Sequence, residues 1–350
     1  MHLHAKLDIF VAATAIDIQL MITFIVCIVC LLAGYFIYGR FVERFYGTDP
    51  QRQVPASAME DGVDFKPMPT WKVFVIQFLN IAGLGPIFGA IMGAAYGPAA
   101  YIWIVAGCIF MGAVHDFFSG MMSMRSNGAN MPDIVGANLG KTMRAVMNVI
   151  VAFLLLAVGV SFVTGPADLI ASLTGVSKEI WLYVIFAYYL LATLLPIDKL
   201  IGRIYPLFGF ALLVMAVGVL YGIFANEGAM PEITEAFSNH HPNSTLPIFP
   251  GLCITIACGA ISGFHATQSP MMARCLKNEK LGRGVFYGAM ITEGIVALIW
   301  AAAAIKFADS LSVDGATPYE KLLAAMTDPT TGKVNPAIIV NAICNSWIGS

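Results

Sequence analysis

The sequence predicts an all-α polytopic membrane protein, and its composition, its apolar runs and two interrupted apolar segments support this fold class. Of the 350 residues, 58% are hydrophobic and 11% are charged, whereas soluble domains average about 25% charged residues. The mean hydropathy is +0.78, and apolar runs long enough to cross a lipid bilayer recur along the chain. The net charge of −2 offers no basic footprint for nucleic acid.

Cysteine usage and the N-terminus exclude other classes. The seven cysteines lie mostly in apolar runs, where the Cys27–Cys30 CxxC is typical of packing rather than redox or metal chemistry. Asp8 and Asp17 precede an apolar run that is too long for a signal peptide, so a leading membrane helix is predicted over Ile18–Phe41. No disulfide framework and no cofactor are indicated.

ATP and metal sites are likewise not indicated. No P-loop is present, so ATP-driven transport by this chain is unsupported. The pairs His2 with His4 and His240 with His241 lack further ligands.

The remaining spans follow from hydrophobicity and from helix start and stop signals. A short interfacial or re-entrant helix is predicted from Asn130, with Pro132 in its first turn and Gly140 as its stop. The predicted spans are Trp71–Tyr96, Ala99–Met124, Met143–Thr164, Ile180–Leu195, Ile204–Phe224, Pro247–Ala273 and Val285–Phe307, with a further helix beginning over Pro336–Ser350. With the N-terminus outside, 14 of the 19 Lys and Arg residues fall in inside loops.

The segment Gln77–Gly97, QFLNIAGLGPIFGAIMGAAYG, is the first interrupted one. Gly83, Gly85 and Pro86 at its middle oppose an unbroken helix, because glycine adds backbone freedom and proline removes a donor. In hydrocarbon, freed backbone groups are tolerated only where they line a protein-enclosed cavity, so such a break points to a transporter's binding site. Taken alone, the segment is equally consistent with a kinked helix that packs through its glycines.

A second break lies five spans later and runs in the opposite direction. The span Pro247–Ala273 carries Gly259, Ser262 and Gly263, followed by His265, Thr267, Gln268, Ser269 and Pro270. A repeat of five helices must invert its topology, as in transporters built from inverted repeats. We therefore predict a leading helix and loop (1–70), a first five-helix repeat (71–226) and a second, inverted repeat that is incomplete here (247–350).

The two breaks predict what binds. Half-helices starting at Pro86 and near Phe264 would direct positive N-terminal ends toward the midplane, where backbone N–H groups receive an anion. A small carboxylate, or the carboxyl end of a peptide, fits this better than a cation. The predicted substrate-binding residues are Gly83, Gly85, Pro86, Gly259, Ser262, Gly263, His265 and Gln268.

Two carboxyls at membrane depth are candidates for ion coupling. Glu293 lies near the middle of its span and is a candidate proton carrier, with a hydrogen-bonded structural role as the alternative. Asp116 faces another helix, and ion coupling or support of a broken helix are both open, because it shares a helix face with Gly112, Ser119, Gly120 and Ser123.

The histidines and the remaining acids are weighed separately. His265 can contact substrate, titrate or cap the freed backbone. His115 lies about 100° round the helix from Asp116 and is interpreted as structural. Asp168 and Asp198 lie at span ends and are interpreted as capping or interfacial.

Six motifs resemble the carbon starvation protein A family over about residues 20–350. They are IAGLGPIFGAIMGAAYG (81–97), GAVHDF (112–117), RSNGANMPDIV (125–135), LPIDKLIGRIYPLFG (195–209), CGAISGFHATQSPMMARC (258–275) and YGAMITEGIVALIWAAAA (287–304). The resemblance implies a multi-pass secondary transporter of the inner (plasma) membrane, with a LeuT-like fold of the amino acid–polyamine–organocation superfamily. It also implies proton-driven uptake of peptides or pyruvate in nutrient limitation, and chains that continue beyond the point matching Ser350.

Together these observations predict import of a small carboxylate or short peptide, coupled to H⁺ or to Na⁺, by a protein that is not an enzyme. Glu293, with Asp116 or His265, would carry the coupling proton. The alternative is a membrane sensor that binds the same metabolite without moving it. The oligomeric state, a homo-oligomer included, stays open.

Overall fold

The computed structural model describes residues 21–194, 197–228, 230–235, 237–328 and 332–349. Within these ranges the regular structure is helical, apart from an isolated antiparallel bridge between Thr327 and Val334. Five described helices are long and apolar enough to cross a membrane, or six if one bent pair is counted as a span. The predicted all-α, multi-span class is therefore confirmed. The start of the leading helix at Ile18 and the N-terminal acids Asp8 and Asp17 lie outside the described residues.

Twelve helices organise the described part of the chain. They are α1 Ile22–Tyr46, α2 Thr70–Ala82, α3 Gly85–Ala94, α4 Ala99–Arg125, α5 Met131–Leu139, α6 Lys141–Thr174, α7 Lys178–Leu194, α8 Ile197–Ala225, α9 His265–Ala273, α10 Glu279–Asp309, α11 Pro318–Met326 and α12 Ala337–Ile348. Single turns occur at Pro55–Ala58 and Ile233–Glu235, and three more precede the second break at Ile248–Leu252, Cys253–Thr255 and Ala257–Ala260.

Helix α6 is longer than predicted. The predicted span ended at Thr164, but the helix continues through Pro166 to Thr174. A proline within a helix leaves the carbonyl four residues earlier without its donor, and here the Tyr189 hydroxyl of α7 donates to that carbonyl, Phe162 O, at 3.1 Å. The lost hydrogen bond is thus replaced from a neighbouring helix. Helix α8 likewise begins at Ile197, earlier than the predicted residue 204.

The short helix α5 and both breaks lie where the sequence predicted them. Pro132 is in the first turn of α5, and Gly140 ends it with φ +90°. Between α2 and α3 the axis bends by 51°, and Gly83 adopts φ +38°. At the second break Ser262 adopts φ +53°, and α9 begins at His265.

The two broken segments lie against each other in opposite directions. Helix α2 packs on α9, while α3 packs on the turn Ala257–Ala260, so both breaks fall at the same level of the bundle. Helix α10 packs on α1, α2, α3 and α4, and 83% of its most apolar window is buried. By contrast, none of the corresponding window of α6 is buried. The breaks therefore meet beside the most enclosed helix.

Charged contacts mark one end of the bundle, here called the basic end. The buried Glu279 carboxylate pairs with Arg125 at 3.0 Å and with Arg52 at 3.4 Å. Arg283 pairs with Glu43 at 2.7 Å. These contacts fasten the ends of α1 and α4 to the start of α10. The opposite end is called the far end.

Candidate functional site

The two breaks are joined by side chains of the second one. Cys258 Sγ and Ser262 Oγ lie 3.8 and 3.5 Å from Ile81 O, a carbonyl freed by the first break. Gly85 is pressed against Cys258 so closely that an added Cβ would overlap that side chain. The close approach explains why glycine occupies position 85, since a larger residue would separate the two segments.

Asp116 of α4 joins the half-helices α2 and α9. Its carboxyl is fully buried and accepts hydrogen bonds from Gln77 Nε2 at 2.8 and 3.0 Å and from Ser269 Oγ at 2.5 Å. His265 Nε2 lies 3.8 Å from Asp116 Oδ2. We call Asp116, Gln77, Ser269 and His265 the Asp116 cluster. The expectation that Asp116 faces another helix is confirmed, and the cluster links both broken segments through one carboxyl.

His115 contacts the Asp116 cluster through His265. The two Nδ1 atoms are 3.1 Å apart, and the ring centroids are 5.3 Å apart. His265 is fully buried, whereas His115 is exposed. No contact joins His115 directly to Asp116 in the described structure, as its angular position on the helix predicted. That angle could not predict the pairing with His265, because His265 lies on another helix.

Glu293 of α10 occupies a different environment. Its carboxyl is fully buried, Oε1 lies 3.7 Å from Cys258 Sγ, and Oε2 has no hydrogen-bond partner among the described atoms. Nearby, the Cys108 thiol of α4 donates a hydrogen bond to Gly259 O at 3.3 Å. A buried carboxyl with so few polar contacts costs free energy unless it binds something or stays neutral.

Two cavities approach the breaks from opposite ends. The basic-end cavity of ≈ 430 Å³ reaches the second break and is lined by Asn130, Pro132, Asp133, Asn148, Val151, Leu155, Phe264, Ala266, Thr267, Gln268, Met271 and Arg274. The far-end cavity of ≈ 900 Å³ reaches the first break; its lining includes Leu84, Gly85, Phe88, Ser161, Thr164, Gly165, Asp168, Lys178 and Glu179. The rings of Phe162 and Phe264, 6.4 Å apart, lie at the level between them.

Most of the predicted site residues come together at the breaks. Gly259 faces Pro86, since an added Cβ would lie 3.4 Å from Pro86 Cα, and Gly83 lies against Phe162. Gly263 lies at the second break, where an added Cβ would be 3.8 Å from Leu154 of α6. Gln268 lines the basic-end cavity rather than joining the Asp116 cluster.

The remaining candidates lie away from the breaks. Asp168 forms an ion pair with Lys178 at 2.7 Å in the far-end cavity. The rings of His240 and His241 lie against Tyr319 and Tyr96. The side chain of Asp198 lies outside the described residues.

Sequence reasoning missed Gln77, Cys258 and Phe162 as site residues. The available signal was Gln77 itself, because an amide inside an apolar helix is costly in hydrocarbon and points to a buried partner. Its partner Asp116 lies 39 residues away, beyond the reach of helical periodicity.

Comparison with known proteins identifies the family. The family model described as "Carbon starvation protein CstA" matches residues 19–164 and 145–322. An "Uncharacterized membrane protein" of Haemophilus influenzae is 45% identical over 338 residues, covering 82% of this chain and 91% of that protein. The chain is also 29% identical to the "Peptide transporter CstA" of Campylobacter jejuni over 343 residues, covering 79% of this chain and 48% of the relative.

A second functional name occurs among the relatives. The "Pyruvate/proton symporter BtsT" of Escherichia coli is 28% identical over 333 residues, covering 77% of this chain and 46% of the relative. The chain thus spans about half the length of these two transporters. No solved structure matches it. Two of the relatives thus have names of transporters. Because the family model matches most of its length, the chain belongs to the carbon starvation protein CstA family.

Proposed function

We propose that this protein is a proton-coupled secondary transporter that imports a small carboxylate or a short peptide across the plasma membrane. The observation that carries the proposal is the meeting of two oppositely directed broken helices at one level, with a cavity approaching from each end. Broken helices at such a level are the usual place of a transporter's binding site. The relatives' names, a peptide transporter and a pyruvate/proton symporter, supply the substrate class.

The position of an aromatic pair supports alternating access as the mechanism. Phe162 on α6 and Phe264 before α9 lie between the basic-end and far-end cavities. Alternating access would require each cavity to close toward its own end in turn, while these rings keep the two cavities from joining. We place this motion in a LeuT-like pair of inverted repeats over 71–226 and 247–350, with the basic end in the cytoplasm and the N-terminus outside.

The substrate carboxylate would bind at the breaks. Helices α3 and α9 begin there without a side-chain cap, so the positive ends of their dipoles would face an anion bound at the breaks. The predicted residues at this level are Gly83, Gly85, Pro86, Gly259, Ser262, Gly263 and His265, with Gln268 at the mouth of the basic-end cavity.

Glu293 would carry the coupling ion. Its second oxygen has no hydrogen-bond partner among the described atoms, so it has capacity for a proton at membrane depth. Na⁺ is the competing ion, because carbonyls freed at breaks such as Ile81 O are natural sodium ligands.

The test is uptake by the full-length protein in proteoliposomes, with radiolabelled pyruvate and a radiolabelled dipeptide. An inward proton gradient should drive accumulation of one of them, and a protonophore should abolish it. Glu293→Gln should lose driven uptake while keeping substrate exchange, and Glu60→Gln, at an exposed loop position, is the matched control. Driven uptake that survives in Glu293→Gln would remove the coupling role. Stoichiometric binding without accumulation would favour the sensor.

A further inference from the structure

A pair of histidines connects the surface of the described structure to the buried Asp116. His115 is exposed on α4, while His265 and Asp116 are fully buried. The three groups follow one another at 3.1 Å between the Nδ1 atoms and 3.8 Å between His265 Nε2 and Asp116 Oδ2. We propose that His115 is the entry point of a proton relay that runs through His265 to Asp116. The proposal rests on the proton coupling proposed above and adds a residue to it.

The ring geometry permits a relay with defined roles. Two neutral imidazoles that share a hydrogen bond between Nδ1 atoms must differ in tautomer, since one donates and the other accepts. If His115 donates, the His265 ring carries its own hydrogen on Nε2, which faces Asp116 Oδ2. His265 Nε2 has no hydrogen-bond partner among the described atoms, and Asp116 Oδ2 lies 3.8 Å from it. Each imidazole therefore has one nitrogen toward the preceding group and one toward the next.

The transfer balances as a chain of proton shifts. A proton binds Nε2 of His115, and the N–H bond at His115 Nδ1 breaks as one forms at His265 Nδ1. The His265 ring and the Asp116 carboxylate then approach from 3.8 Å to hydrogen-bond distance, and the N–H bond at His265 Nε2 breaks as an O–H bond forms at Asp116 Oδ2. Both rings end neutral with their hydrogens exchanged between nitrogens, and the carboxylate becomes a carboxylic acid. No oxidant, reductant or further reactant is needed.

The surroundings favour Asp116 as the end of the relay. The other polar contacts of Asp116 come from the neutral side chains Gln77 on α2 and Ser269 on α9. The titratable groups that the described contacts join here are thus His115, His265 and Asp116. Because Ser269 and His265 both belong to α9, a change of charge on Asp116 acts directly on the half-helix that follows the second break.

The exposure of His115 supports an entry point rather than a packing role. His115 lies well inside α4, a 27-residue helix, where an imidazole turned toward hydrocarbon would be costly. We therefore place a water-accessible path at this face in the whole protein. A residue that served only to pack against His265 would have no need of an exposed ring.

The experiment measures proton entry and substrate exchange separately in full-length protein in proteoliposomes. Trapped pyranine reports proton entry during uptake of the substrate that the wild type accumulates, and counterflow reports exchange. His115→Asn should lower coupled proton entry about tenfold or more, with counterflow within twofold of wild type. His241→Asn, whose ring lies against Tyr96 and away from the breaks, is the control and should leave both unchanged.

Chemical rescue distinguishes a relay from a packing role. In His115→Ala, added imidazole should restore proton entry, whereas pyrazole, which has the same shape but is a far weaker base, should not. Unchanged proton entry in His115→Asn, parallel loss of counterflow and proton entry, or equal rescue by both compounds would overturn the relay. Absence of proton-coupled uptake in the wild type would instead overturn the proposed function, so the two failures are distinguishable.

Discussion

The two buried carboxyls, Asp116 and Glu293, have the same chemical group and the same lack of exposure but opposite surroundings. Asp116 accepts hydrogen bonds from two half-helices at 2.5 to 3.0 Å. Glu293 has a thiol at 3.7 Å and an oxygen without a hydrogen-bond partner among the described atoms. Asp116 is therefore expected to hold the broken helices together in addition to ending the proposed relay, and Glu293 to cost stability in return for ion coupling.

Hydrogen-bond energetics predict that the two carboxyls affect the free energy of unfolding in opposite directions. A satisfied buried hydrogen bond contributes about 1 kcal/mol net, while a buried group left without a partner costs about 1–3 kcal/mol. Removing Asp116 takes the acceptor from Ser269 Oγ and from one N–H of Gln77, whose amide also donates to Ser269 Oγ at 3.1 Å, whereas removing Glu293 strands little. Unsatisfied polar groups of this kind are common where function rather than stability is selected. Measurements of stability alone can therefore test whether Asp116 and Glu293 differ in this way.

The largest expected effect is at Asp116. Asp116→Leu should lower the free energy of unfolding by about 3 kcal/mol or more, because two buried donors lose their acceptor. Unfolding in mixed micelles with increasing SDS, followed by circular dichroism, measures it. Asp116→Asn, which keeps one carbonyl acceptor, should lose clearly less. Equal stability of Asp116→Leu and wild type would show that the cluster does not hold the half-helices together.

The next largest effect is expected at Gly85, which packs against Cys258 of the second broken segment. The Cys258 thiol is the group that contacts Glu293. Gly85→Val should cost about 2 kcal/mol by overpacking against Cys258, and substrate exchange should fall with it, because the breaks are forced apart. The double variant Gly85→Val with Cys258→Gly should recover part of both, because it removes both Cys258 atoms, Sγ and Cβ, that the new side chain would overlap. Gly159→Ala, at a position with open space around it, is the control, and failure of the double variant to recover would place the strain elsewhere.

The features that depend on residues close together in the sequence could be predicted from it, whereas those that depend on distant residues could not. The breaks depend on local chemistry, and positive φ at Gly83 and Ser262 occurs within the predicted interruptions. The small-residue face of Asp116 is also local and was predicted. Glu293 could be placed at membrane depth, but its lack of polar partners could not be foreseen.

The missed features depend on residues far apart in sequence. The extension of α6 across Pro166 needs the Tyr189 hydroxyl, which is 27 residues from the Phe162 carbonyl it satisfies. The contact of His115 with His265 joins residues 150 apart. Helical periodicity shows which face of a helix is buried, but it cannot show which residue of another helix lies opposite.

A smaller effect of opposite sign is expected at Glu293. Glu293→Met, which keeps the side-chain volume, should raise the free energy of unfolding by about 1 kcal/mol, because it removes a buried carboxyl that lacks partners. The same SDS titration measures it, and driven uptake should be lost in the same variant. A loss of stability comparable to that of Asp116→Leu would show that Glu293 has a structural role after all.

The smallest effect is at Cys258, the described hydrogen-bonding neighbour of Glu293. A thiol is a weak donor, and its sulfur lies 3.7 Å from Oε1, so Cys258→Ala should change the free energy of unfolding by about 0.5 kcal/mol or less. A double-mutant cycle of Cys258→Ala with Glu293→Met should give a coupling energy below about 0.5 kcal/mol, against about 1 kcal/mol or more for Ser269→Ala with Asp116→Leu. Equal coupling energies in the two cycles would mean that the two carboxyls are held alike. A large difference would indicate that Asp116 holds the broken helices together. Glu293 could then exchange its ion readily, since little hydrogen bonding would have to break.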